Sequence, residues 1–289
     1  MTREEVSRAL HRALAQHGAL AVQSPSQADL VAGQTFIGYL DCRDLVSFCV
    51  FASDESNWQP SLGDLVKIGS KGAPVAATAV TVSYLARRHP FSYVYTTDSL
   101  AVVASRLAQR EVHRVPVVDK ATGEMVALIT QSALVQWVVD NKALLGDVLR
   151  HPLKDIGPLG TSPVVSVCAT SPVLDAFKLM DEHKISAVGV VSQAKGDLVA
   201  TVSSSDIKFF LRTKFPMTHT VMEFVQSIND QMVDIRSPLI CASRNTPLGD
   251  VIGRMAKAKV HRVFLVDGKD KPVGIVSVTD VMKLLGDRK

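Results

Sequence analysis

The sequence predicts an α/β (α+β) fold assembled from four copies of one β-α-β-β-α unit. Two observations predict it. A strand-turn-strand block recurs along the 289 residues, and a capped amphipathic helix precedes that block in three of its copies. The clearest copy reads Val260-His261-Arg262-Val263-Phe264-Leu265-Val266-Asp267, turns at Gly268-Lys269-Asp270 and continues to Asp280. It lines up with 112–119 plus 123–133, with 185–191 plus 197–206, and more faintly with 19–22 plus 36–44. Ala133, Asp206 and Asp280 hold the same place in their copies and lie 73 and 74 residues apart. A single unit cannot cover both its sheet and its helices, so each is expected to pack against a neighbour.

The elements follow in order. Repeat 1 spans 1–50, with a helix predicted from Arg3 to Gln16 and no room ahead of it for a first strand. Residues 51–90 read as an insertion or linker: Ser53-Asp54-Glu55-Ser56-Asn57 is a loop, and short helices are predicted around Leu62–Ile68 and Ala79–Arg88. Repeat 2 (91–149) opens with an apolar strand, Phe91–Tyr95, and 150–162 links it to repeat 3. Repeat 3 (163–212) opens with Val164–Cys168 and continues with Leu174, Phe177 and Met180 at helical spacing. Residues 213–236 connect onward and are expected to be partly helical around Thr220–Ile228. Repeat 4 (237–289) opens with Pro238–Cys241 and places Leu248, Ile252 and Met255 on one helical face. Asp98-Ser99, Ser171-Pro172 and Thr246-Pro247 each set a cap-competent side chain before a residue suited to the first helical position.

Composition narrows the function classes. Hydrophobic residues make up 47% and aromatics 6%, which describes a globular chain with aliphatic cores. A net charge of +4 without a dense Lys/Arg stripe gives no footprint for nucleic acid. Cys42, Cys49, Cys168 and Cys241 lack metal-ligand or disulfide spacing, so buried thiols are expected. No signal-peptide core is present. The longest uncharged run, Ile156–Leu174, is broken by Pro158, Pro163 and Pro172, so no membrane span is expected and the predicted address is cytoplasmic or also nuclear. No phosphate-cradling lysine loop, HExxH or CxxC occurs, and no histidine motif accompanies Ser203-Ser204-Ser205. A non-catalytic protein without a catalytic cofactor or metal is expected.

The repeats carry a recurrent polar set at the strand-to-helix turn. Ser277 and Asp280 end the last strand and begin its helix. A carboxylate there can accept hydrogen bonds from the vicinal hydroxyls of a ribose, and the free N–H groups of a helix start favour phosphate. The same residues can serve merely as helix caps. His261-Arg262 and His113-Arg114 interrupt apolar strand entries, where an unpaired charge is costly. Converging basic pairs suit a phosphate, since Arg offers a planar fork and His a second donor, although Arg114 and Arg262 can also face solvent or pair with acids. Repeat 3 keeps Ser203 and Asp206 but has Ser186 and Ala187 at the basic positions. Repeat 2 keeps His113, Arg114 and Thr130, with Ala133 in place of the carboxylate. Repeat 1 has Asp41 and Asp44, with Leu20 and Ala21 read at the basic positions. Composite sites are therefore expected, with one repeat's Asp reading sugar and another's Arg reaching phosphate.

These blocks, above all His113–Asp119 with Gly123–Thr130 and His261–Asp267 with Gly274–Asp280, resemble the CBS (cystathionine β-synthase) domain family. Four units resemble two tandem pairs, or Bateman modules, and are similar to the gamma, nucleotide-sensing subunits of the AMP-activated protein kinase family. The resemblance implies a flattened, pseudo-symmetric disc that binds adenine nucleotides (AMP, ADP or ATP) around its centre. It implies ribose contacts from Asp44, Asp206, Asp280, Ser203 and Ser277, and phosphate contacts from His113, Arg114, His261 and Arg262. Thr130 and Asp41 are additional polar candidates. The implied partners are kinase catalytic and scaffold subunits or a second CBS copy. The alternative is a scaffold or oligomerisation module whose nucleotide sites have degenerated.

Overall fold

A computed structural model of the chain describes residues 19–23, 36–47, 50, 92–109, 112–157, 159–213, 215–231 and 238–287. The helix expected at Arg3–Gln16 and the insertion at 51–90 lie outside them. In repeat 1, β1 (Ala19–Gln23) pairs antiparallel with β2 (Phe36–Asp41), which runs into a helical stretch, α1 (42–47). Repeat 2 contains β3 (Val94–Tyr95), α2 (Leu100–Leu107), β4 (Arg114–Val118), β5 (Met125–Thr130) and α3 (Gln131–Asp140). Two 3-10 turns, Lys142–Arg150 and Leu153–Asp155, lead to repeat 3. There β6 (Ser166–Cys168), α4 (Val173–Glu182), β7 (Ala187–Val191), β8 (Leu198–Ser203) and α5 (Ile207–Arg212) follow, and then α6 (Val221–Gln231). Repeat 4 contains β9 (Cys241–Ala242), α7 (Leu248–Ala258), β10 (Arg262–Val266), β11 (Pro272–Ser277) and α8 (Val278–Gly286).

Repeats 2, 3 and 4 each build a three-stranded sheet in sequence order, β3-β4-β5, β6-β7-β8 and β9-β10-β11. The first pair is parallel in each, and β4-β5 and β10-β11 are antiparallel. A parallel pair needs a crossover, which the intervening helix provides. The caps differ in detail from the sequence expectation. Ser99 caps α2 by accepting from the Val102 N–H at 3.4 Å. Pro172 and Pro247 themselves occupy the N-cap, in extended conformation and without a side-chain bond. Thr246 closes the preceding turn instead, accepting from the Ser243 N–H at 3.0 Å. The stretch 213–236 is more than a connection. Thr220 and Glu223 form a reciprocal cap ahead of α6, with bonds of 2.8 and 3.2 Å, and α6 places Phe224 in a core.

The chain divides into two compact units, one joining repeats 1 and 3 and one joining repeats 2 and 4. In the first, Phe177, Phe209, Phe210 and Phe224 are fully buried, with Phe210 stacked on Phe224 at 4.9 Å. Cys42, Val46 and Val50 join that core, and the Ser47 hydroxyl donates to Asp181 on α4. In the second, the first helix of each repeat packs on the second helix of the other, α2 against α8 and α7 against α3. The core there is aliphatic: Val103 and Leu107, Leu134 and Val138, Val251, Ile252 and Met255, Val281 and Met282. Burying each such side chain is worth roughly 1.5–3 kcal/mol. This reciprocal packing is what carries the strand-to-helix turns of repeats 2 and 4 toward one another.

Candidate functional site

Register sets the site. Arg262 lies opposite Ser277 and Arg114 opposite Thr130, so each antiparallel pair ends with a basic residue facing a hydroxyl residue. The next N–H, of Val278 or Gln131, donates to the carbonyl of His261 or His113, at 2.9 and 3.0 Å. Repeat 3 repeats this geometry with Ser204 donating to the Ser186 carbonyl at 2.9 Å. In repeat 1 the register places Ala19 opposite Asp41, so Ala19 stands at the arginine position, not Leu20 or Ala21.

The acidic candidates are all part of helix-start turns. Asp280 Oδ2 accepts from the Ser277 N–H at 2.8 Å and the Ser277 hydroxyl at 2.7 Å, while Ser277 Oγ accepts from the Asp280 N–H at 3.2 Å. Asp280 Oδ1 faces Lys283 Nζ at 3.9 Å. Asp206, buried, accepts from the Ser203 N–H at 2.7 Å in the same box, and the Ser203 and Ser205 hydroxyls lie 2.8 Å apart. Asp44 is 1% exposed and accepts from the Asp41 N–H at 2.9 Å, while Asp41 Oδ1 accepts from the N–H groups of Arg43 and Asp44. Thr130 caps α3 by accepting from the Ala133 N–H at 3.1 Å, and Ala133 offers no carboxylate to return the bond. The sugar-side candidates thus double as capping residues: Ser277 is an N-cap, worth about 1 kcal/mol to its helix, and Asp280 and Asp206 return the bond from the third position of their boxes.

In the unit of repeats 2 and 4 the four basic candidates come together. His261 keeps exposed surface yet is crowded by protein atoms. Desolvation first, then the charges of Arg262, His113 and Arg114, lower its pKa from 6.5 to about 4. Its Nε2 lies 3.1 Å from the Ser132 hydroxyl of repeat 2. Beside it Gln131, 4% exposed, places Nε2 within 2.8 Å of the Leu107 carbonyl and 3.1 Å of Thr279 Oγ1, and Oε1 within 3.3 Å of His113 Nδ1. Arg114, Arg262, Ser277 and Asp280 sit in this same unit. Asp41, Asp44, Ser203 and Asp206 belong to the other, which has no basic pair at the equivalent positions. Gln131, Ser132 and Thr279 were not singled out from the sequence. Their signal was available in the repeat alignment, where Gln131 takes the place of the buried Val278.

A cationic cluster flanked by a capped carboxylate suits an anionic ligand that also carries hydroxyls. Among the described residues no group of His, Cys, Asp or Glu side chains could hold a metal ion, and no helix is long and apolar enough to cross a membrane.

The CBS domain family model matches residues 82–140, 153–213 and 232–287. The chain belongs to the CBS domain family. CBS domains are regulatory modules without catalytic activity. Curated relatives include the human 5'-AMP-activated protein kinase subunit gamma-3, 27% identical over 203 residues that cover 68% of this chain and 40% of that protein. The Dictyostelium discoideum 5'-AMP-activated protein kinase subunit gamma is 30% identical over 193 residues, covering 64% of this chain and 33% of that protein. The chain thus spans about two fifths or less of the length of these relatives. Among solved structures, a Methanocaldococcus jannaschii protein superposes with a TM-score of 0.64 at 16% identity. The superposition covers 96% of this chain and 92% of the other, a likeness of fold.

Proposed function

We propose that this CBS protein binds an adenine nucleotide in the unit of repeats 2 and 4 and relays its occupancy to a partner, a protein kinase of the kind its gamma-subunit relatives serve. The observation that carries this reading is the convergence of His113, Arg114, His261 and Arg262 from two repeats beside the Ser277–Asp280 turn. The arginines and histidines would hold phosphate, and the carboxylate of Asp280, oriented by Ser277, would accept from ribose hydroxyls. Asp44, Asp206 and Ser203 are proposed as weaker sugar contacts, because repeats 1 and 3 supply no basic pair. Any relay requires the ligand to bind two packing states of the repeats with different affinity.

Calorimetric titration of the chain with AMP, ADP, ATP and S-adenosylmethionine tests the reading. At least one should bind saturably, and Arg262→Ala should weaken it by roughly tenfold or more, the size of a lost charge-assisted bond. No binding by any of the four sinks it. The depleted sites of repeats 1 and 3 favour a second reading, a scaffold with degenerate pockets. That reading requires a captured partner to bind equally well with and without nucleotide, and with Asp206→Ala and Asp280→Ala in place. Co-purification of a kinase catalytic subunit and its beta-type scaffold would distinguish a kinase subunit from a free-standing sensor.

A further inference from the structure

Repeat 4 fills the first position after its cap with Val278, 2% exposed. Repeat 2 fills the same position with Gln131, 4% exposed, and a buried amide is tolerated only when its hydrogen bonds are met. Those of Gln131 are met on three sides. Nε2 lies 2.8 Å from the Leu107 carbonyl and 3.3 Å from the Val112 carbonyl, both of which only accept, so the amide nitrogen points that way. The same nitrogen reaches Thr279 Oγ1 of repeat 4 at 3.1 Å. Oε1, the remaining acceptor, then faces His113 Nδ1 at 3.3 Å, which requires the proton on Nδ1. Thr279 lies inside the Ser277–Asp280 box, one residue from the carboxylate.

We propose that Gln131 couples the two sides of this pocket, fixing the His113 ring on the phosphate side and the Ser277–Asp280 turn on the sugar side through Thr279. Gln131 is a positioning residue: it touches the groups that would meet a ligand and holds them in one arrangement across two repeats. A ligand that engages one repeat thereby sets the geometry of the other. Ser132, one residue on, makes a further cross-repeat contact, to His261. The proposal rests on the nucleotide reading for its ligand and on the side-chain geometry alone for the coupling.

Two measurements on the full chain separate these. With 15N-labelled histidine, His113 in the free protein should show the Nδ1–H form. Gln131→Leu should remove that preference, and Thr279→Val, which leaves His113 untouched, should shift the same signals. Titration with AMP should show Gln131→Leu weakened by roughly five- to tenfold, the scale of one hydrogen bond. Combining Gln131→Leu with Asp280→Ala should cost less than the sum of the single effects. If the His113 signals stay unchanged in both variants, or if the two substitutions add fully, the coupling is overturned. If the unaltered chain binds none of AMP, ADP, ATP and S-adenosylmethionine, the nucleotide reading fails and the histidine spectra still decide the coupling. Should Gln131→Leu not fold, Thr279→Val carries both arms.

Discussion

A carboxylate that caps its own helix has one oxygen committed before any ligand arrives. In Asp280 that oxygen is Oδ2, held by the N–H and hydroxyl of Ser277, and Oδ1 is left toward Lys283. Stability and binding therefore separate in the choice of substitution. Asp280→Asn keeps a carbonyl oxygen for the cap and loses the anion, so the melting temperature should move little while AMP affinity falls roughly tenfold or more. Asp280→Ala should lose the affinity and, with the bonds it returns to Ser277, some stability as well, seen as a lower melting temperature. Thermal melts and calorimetric titration of both variants check this, and equal melting losses would argue against the separation. His261 gives a pH prediction. Its folded pKa, about 4, lies below its ordinary 6.5 because crowding by protein atoms, then Arg262, His113 and Arg114, disfavour the charged ring. Between those values the unfolded chain binds more protons than the folded one, so stability falls as pH drops from about 6.5 toward 4. Above that window the contribution is complete. Urea denaturation across it should show a shallower decline in His261→Asn, and an identical pH slope in the two proteins would contradict the assignment.

At the scale of the element, the packing of α8 on α2 in the unit of repeats 2 and 4 depends on a glycine. A Cβ at Gly286 would sit 2.6 Å from Ser105 Oγ, 3.0 Å from its N and 3.1 Å from its Cα. Two of those atoms are backbone, so no rotamer change relieves the clash and α8 must move away from α2. Gly286→Ala should destabilise the protein by about 1–3 kcal/mol, the cost of overpacking. Ser105→Ala should not rescue it; full recovery in that double variant, by urea midpoint, would show that only the hydroxyl is in the way. This contact was not legible in the sequence, because nothing at Gly286 distinguishes a close approach from an ordinary helix end. Periodicity did mark the strand blocks and the faces of α4 and α7, since Phe177, Met180, Ile252 and Met255 are buried as their spacing requires. The cap positions slipped because proline suits both the first helical residue and an extended N-cap. The basic pairs were legible as polar breaks in apolar strands. Gln131 was not, because its meaning comes from a partner 148 positions away, Thr279.

For the whole molecule, the basic pairs and the aromatic core fall in different units. His113, Arg114, His261 and Arg262 belong with the aliphatic core of repeats 2 and 4, and the phenylalanine cluster belongs with repeats 1 and 3. A ligand that binds only the folded state stabilises it by RT ln(1 + [L]/Kd), or about 2.7 kcal/mol at a hundredfold excess over Kd. Trp137, packed at the edge of the aliphatic core, reports on the unit that would hold the nucleotide. Replacing Trp58 by Phe leaves it as the sole indole. In that background AMP at a hundredfold excess should raise the unfolding midpoint read by Trp137 fluorescence. Arg262→Ala, with its tenfold or greater loss of affinity, should cut the increment at the same AMP concentration to about 1.4 kcal/mol or less. Phe224→Ala removes a fully buried ring from the other core and should lower stability by about 3–5 kcal/mol. The AMP-dependent increment should nevertheless survive in that variant, measured under conditions where it remains folded, because its basic pairs are untouched. Loss of the increment in Phe224→Ala with its full retention in Arg262→Ala would move the nucleotide to the Asp44 and Asp206 side of the molecule.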